Sequence, residues 1–117
     1  MKSLILSLLC LLMASNCYAE VPADYANRLA DAIYKAEGGT KTRHPYGILV
    51  KYKHTTPRQA CLNTIRSNWN KWEKDGKRGD YIEALGRVYC PIGASNDPTG
   101  LNKHWVSNVR YWFNKQG

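Results

Sequence analysis

The sequence predicts a small, mainly α-helical domain, and three observations lead there. Apolar residues recur at helical spacing in several separate stretches. Residues that start and stop helices bracket those stretches. A chain of 117 residues leaves room for one domain at most. The first 19 residues stand apart from that domain. Met1, Lys2 and Ser3 make a short basic start, and Leu4 to Ala14 is an apolar run of the length a secretory signal uses, too short to span a bilayer. Cys17-Tyr18-Ala19 reads as a small-x-small cleavage site. Residues 1–19 are therefore expected to be a signal peptide and residues 20–117 the folded domain, exported to the periplasm or the extracellular space. A lipoprotein anchored through Cys17 is the alternative, for which Asn16 is a poor fit. No later apolar stretch is long enough for a transmembrane segment.

The first helix is expected from Pro22 or Ala23 to Glu37, with Pro22 at a tolerated first-turn position, Asp24 near the positive end and Gly38-Gly39 as the stop. At ~100° per residue, Ala26, Leu29, Ala30, Ile33 and Ala36 all fall within about 100° of Glu37. Asp24, Arg28, Asp31 and Lys35 fall on the opposite side, so Glu37 is the only ionisable residue on the apolar stripe. From Gly38 to Thr56 the composition predicts an irregular loop or hairpin. Thr56-Pro57-Arg58-Gln59 then reads as a capping box with Pro at the first helical position, opening a helix to about Lys74 before Asp75-Gly76. Cys61, Leu62, Ile65, Trp69 and Trp72 form its core stripe. A short helix follows from Asp80, paired as a cap with Glu83, to Gly86. Arg87 to Asp97 reads as loop, and a last helix from about Asn102 to Lys115 aligns Trp105, Val106, Val109, Trp112 and Phe113.

Seventeen Lys plus Arg stand against nine Asp plus Glu, a net charge of +8 that falls to about +7 once Lys2 leaves with the signal. An exported protein so charged suits an anionic partner: nucleic acid, an anionic membrane face, or an acidic wall polymer such as peptidoglycan. Cys61 and Cys90 are the only cysteines of the mature chain, which predicts one disulfide. Closing that loop of about 30 residues should contribute roughly 3 to 4 kcal/mol in the chain-entropy model.

Glu37 is the sharpest chemical signal. A carboxyl on an apolar face is desolvated, its pKa rises, and it can hold a proton near neutral pH as a general acid must. The bland alternative is a terminal Glu that bends out to solvent or pairs with Arg43. Between Gly38 and Trp72 there is no Asp or Glu, so a catalytic Glu37 is expected to act without a neighbouring carboxylate nucleophile; Asp75, Asp80 and Asp97 remain as distant partners. His44 and His54, among basic residues, are compatible with the acid–base pair of a small secreted ribonuclease, although exposed loop histidines are the simpler account. No His or Cys spacing suggests a metal, and no cofactor is expected. The four mature-chain tryptophans fall on core stripes.

Ala36-Glu37-Gly38-Gly39 closing a first helix, a polar loop, then Pro45-Tyr46-Gly47-Ile48 and short helices resembles the lysozyme-like superfamily, and most of all its small lytic transglycosylase branch. The resemblance implies a lysozyme-like domain in which Glu37 protonates the glycosidic oxygen between N-acetylmuramic acid and N-acetylglucosamine. It further implies that Tyr46, Gly47 and Ile48 line the cleft and that Tyr89 closes on the sugar. The sequence departs from the family pattern where Gly38 replaces the usual Ser, and where Tyr46-Gly47-Ile48-Leu49 stands for the usual Gly-Leu-Met-Gln. The phage lysozyme pattern fails too, since the position nine after Glu37 is Tyr46. The expected function is exported cleavage of peptidoglycan glycan strands, as lytic transglycosylase or muramidase, by a monomer without cofactor and without a nucleic-acid partner. The alternatives are a secreted basic ribonuclease and a non-catalytic wall-binding or inhibitor protein on the same scaffold.

Overall fold

The computed structural model describes residues 19–89 and 100–116. The expected signal peptide, Cys90 and Asp97 lie outside them. Four α-helices and three short 3-10 turns make up the described chain: α1 (Ala23–Ala36), turns at Gly39–Lys41 and Pro45–Gly47, α2 (Pro57–Lys74), α3 (Tyr81–Tyr89), a turn at Leu101–His104, and α4 (Trp105–Lys115). No strand occurs among the described residues, so the segment after α1 is a loop with two tight turns and not a hairpin. No helix among them is long and apolar enough to cross a membrane.

α1 is the hub. It packs most extensively on α4 and also on α2, while α3 closes the remaining side against α2 and α4. Its apolar stripe dictates this: Ala26, Leu29, Ala30 and Ile33 are buried, and Ala32, beside them, is buried as well. The small alanines let neighbouring helices approach while Leu29 and Ile33 fill the space between them. Ile65 and Cys61 from α2, Leu85 from α3 and Val109 from α4 complete the fully buried set. Around it lies an aromatic layer in which Tyr25, Trp69, Trp72 and Tyr81 meet at ring-centroid distances of 4.9 to 6.3 Å. The Tyr81 hydroxyl donates to the Ile65 carbonyl at 2.5 Å, which satisfies its buried polar end.

Several local expectations resolve differently. The Thr56 side chain caps α2 by accepting from the Gln59 backbone N–H at 3.1 Å, but the reciprocal half of the capping box is absent because the Gln59 amide donates to Asn63 instead. Asp80 and Glu83 do not form a cap pair either; both carboxylates are taken by the Arg110 guanidinium of α4. α3 runs past Gly86 to Tyr89. A glycine inside a helix costs about 1 kcal/mol relative to Ala, yet Gly86 is buried where a Cβ would meet Val106 at 3.0 Å and Trp105 at 3.1 Å. Its missing side chain brings α3 onto α4. The last helical segment begins as a 3-10 turn and becomes α-helical only at Trp105.

Candidate active site

α1 ends at Ala36, and Glu37 is its C-terminal cap, with its backbone N–H donating to the Ile33 carbonyl at 2.9 Å. Gly38 then leaves the helix at φ +112. Because Glu37 stays on the apolar stripe, its side chain points back among helices and not outward to Arg43. It enters no ion pair among the described residues, and the indole of Trp105 donates to its Oε1 at 2.8 Å. Burial raises the Glu37 pKa above the ordinary carboxyl value, and the Trp105 hydrogen bond, which favours the ionised form, works against that rise.

The second turn brings the loop back onto this carboxyl. Tyr46 has φ +63, a left-handed conformation costly for a residue with a side chain, and Gly47 follows at φ +69. Three contacts hold that strained turn. The Tyr46 ring is buried and meets Tyr34 at 5.2 Å. Its hydroxyl accepts from Arg58 at 3.1 Å, and Arg58 is itself anchored by Asp31 at 2.7 Å and Asn27 at 3.1 Å. Its carbonyl accepts from the Tyr89 hydroxyl. The outcome is that Gly47 sits directly on the carboxyl: a Cβ there would lie 2.8 Å from Glu37 Oε2.

A cavity of about 260 Å³ opens at this point, lined by Glu37, Thr42, His44, Gly47, Leu49, Tyr89 and Asn102. Four of the residues singled out in the sequence, Glu37, His44, Gly47 and Tyr89, meet here. Tyr46 and Ile48 do not line it; Tyr46 instead shapes the turn from the core side. Tyr89 stacks on Trp105 with centroids 5.4 Å apart, so one aromatic pair both walls the cavity and holds the donor to Glu37. Burial raises the Tyr89 hydroxyl far above the ordinary phenol value, and it stays protonated as a donor.

Among the described lining residues Glu37 alone carries a carboxylate. Asp75 caps the C-terminus of α2 and Asp80 binds Arg110, so neither reaches the cavity. Of the two loop histidines only His44 lines it, whereas a ribonuclease of the expected kind needs a pair. Cys61 is buried, and burial pushes its thiol up to about 11, which removes it as a nucleophile at neutral pH.

Two contributors were not legible as such. Trp105 lay on a core stripe in the sequence, and nothing there marked its indole N–H as the partner of Glu37. Arg58 is one of seventeen Lys and Arg residues, and nothing local in the sequence marks it as the anchor of Tyr46. Replacing Trp105 by Phe removes the donor while keeping an aromatic ring, and the Glu37 pKa is expected to rise further; a carbon-13 NMR titration of the Glu37 carboxyl measures it. No family model, curated protein or solved structure matches the chain.

Proposed function

We propose that the protein is an exported, lysozyme-like enzyme that cleaves peptidoglycan glycan strands, with Glu37 as its general acid. The observation carrying this reading is a single half-buried carboxyl, raised in pKa, fixed through one oxygen by Trp105 and seated through the other on the Gly47 backbone at the wall of a cavity. A carboxylic acid held in place with its proton is what protonation of a glycosidic oxygen requires.

With no second carboxylate lining the cavity among the described residues, the reaction favoured is transglycosylation. Glu37 gives its proton to the departing glycosidic oxygen as the bond to the muramoyl anomeric carbon breaks. The muramoyl 6-hydroxyl then attacks that carbon, Glu37 takes back the hydroxyl proton, and a 1,6-anhydro ring closes without consuming water. Tyr89 and Gly47 border the sugar, and Tyr46 acts from behind by fixing the turn. Ile48, half-buried against the core, supports the same turn.

Digestion of purified sacculi, read by mass spectrometry, tests the reading. Release of 1,6-anhydro muropeptides is expected from the protein and not from Glu37→Gln. Reducing ends would mean hydrolysis, and no release by the folded protein would overturn the enzymatic assignment.

The same reading includes a Cys61–Cys90 disulfide. Among the described residues Cys61 is a free, buried cysteine in hydrogen-bond contact with Tyr89, and a covalent tie to the residue after Tyr89 would fix the end of α3. Protein denatured without reductant is expected to resist thiol alkylation at both cysteines; alkylation there would remove the disulfide.

A further inference from the structure

A second concavity, of about 710 Å³, opens between the C-terminal part of α2 and the outer face of α3. Lys71, Lys74, Arg78 and Arg87 surround it, with Asp75 among them and Trp72 as a wall. It shares no lining residue with the Glu37 cavity. The two are separated by α3 itself: Arg87 and Tyr89 lie about 160° apart around that helix, so one faces this cleft and the other faces Glu37.

Three cations of the described surface have acidic partners: Arg58 has Asp31, Arg110 has Asp80 and Glu83, and Lys77 has Glu73. What sets the cleft apart is that four unpaired cations converge on one concavity. Among the described residues, none of the four cations around the cleft enters an ion pair, and neither does Asp75. Glu73, the other nearby acid, is only 8% exposed and already bound to Lys77 at 3.4 Å. The wall is fixed as well. The Trp72 ring packs on Trp69 and Tyr81, and its indole donates to the Arg78 carbonyl at 3.3 Å, which ties the turn bearing Arg78 to α2. Concave clusters of like charge focus potential and concentrate ligands of opposite sign.

We propose that this cleft binds acidic peptides that also carry a free amino group, the peptide carboxylates meeting Lys71, Lys74, Arg78 and Arg87 and its ammonium meeting Asp75. The position of Asp75 is what selects this ligand. A uniformly anionic chain, such as a polyphosphate or a nucleic acid, gains from the four cations but is repelled by the carboxylate in their midst. A peptide with both charges uses all five groups. The stem peptides of peptidoglycan have this character, with side-chain or terminal carboxylates and the amino group of a diamino acid. The cleft would thus hold a neighbouring stem on the side of α3 away from the glycan. The choice of a peptidoglycan stem as that peptide rests on the proposed function, whereas the cleft is built from its own residues and not from those at Glu37.

Titration of the nitrogen-15-labelled protein with the tripeptide L-Ala-γ-D-Glu-diaminopimelate, and separately with tripolyphosphate, tests the proposal. The tripeptide is expected to shift the backbone resonances around Lys71 to Arg78 and Arg87. Lys74→Glu combined with Arg87→Glu should weaken it by about tenfold. These side chains are exposed, and unchanged resonances elsewhere verify the fold. Asp75→Asn should weaken the tripeptide and tighten tripolyphosphate. Glu37→Gln should leave the tripeptide affinity unchanged, which separates this site from the glycan-cleaving one. Absence of tripeptide binding, insensitivity to the charge reversals, or tighter binding of tripeptide by Asp75→Asn would overturn the proposal; tighter wild-type binding of tripolyphosphate than of tripeptide would do so in favour of a phosphate polymer.

Discussion

Glu37→Gln is expected to lower glycan cleavage by about 10²- to 10⁴-fold, the usual contribution of a positioned general acid, while raising the stability of the fold at neutral pH. The two effects have one cause. Burial disfavours the Glu37 carboxylate, so its folded pKa lies above the ordinary carboxyl value of 4.5. Between that value and the raised folded one, the native state binds more protons than the unfolded state, and the stability to unfolding falls as pH rises. Below the window the wild-type protein bears no such penalty, and above it the penalty is complete and constant. Gln has no proton to lose, and its amide oxygen still accepts from Trp105. Denaturant unfolding of the two proteins should therefore give a stability difference in favour of Gln that widens as pH rises through the window and then levels off. Wild-type activity should fall over the same upper range, as the acid loses its proton. A Gln variant that is less stable than the wild type at neutral pH would mean that Glu37 is a structural anchor.

How Glu37 could be found from sequence, and its surroundings could not, follows from the range of the interactions. The period of α1 is a local property: Ala26, Leu29, Ala30 and Ile33 lie within three turns of Glu37 and are buried as their spacing requires. The glycines that end the helix are also adjacent. Trp105 is 68 residues away from Glu37, and a stripe of apolar residues does not disclose which of its members turns a polar edge toward a carboxyl. Arg58 reaches Tyr46 across 12 residues and Asn27 across 31, contacts that exist only once α2 lies on α1. The same competition between local and distant partners explains the altered caps. Asp80 and Glu83 were available to the start of α3, yet a guanidinium from α4 can engage both carboxylates at once. Gly86 carried a local signal to stop, and helix-to-helix packing overrode it.

Gly47→Ala should separate the position of the carboxyl from the stability of the fold. Gly47 has φ +69, where a side chain costs about 1 to 2 kcal/mol. Its new methyl would also lie 2.8 Å from Glu37 Oε2 and 3.0 Å from Cδ. The carboxyl is the free end of a side chain, so it relieves that contact by swinging away, losing the Trp105 hydrogen bond and its place at the cavity wall. A displacement of about 1 Å at a reacting group can cost on the order of 10²-fold in rate. Gly79→Ala is the matched control, because Gly79 has φ +74 but nothing within 4 Å of a Cβ. Both variants should lose a similar 1 to 2 kcal/mol, roughly, in denaturant unfolding, whereas only Gly47→Ala should lose cleavage of sacculi, by about a hundredfold. Equal activity in the two would detach the Gly47 turn from catalysis. A loss confined to Gly47→Ala, accompanied by a changed Glu37 titration, would identify the turn as the device that sets the acid in place.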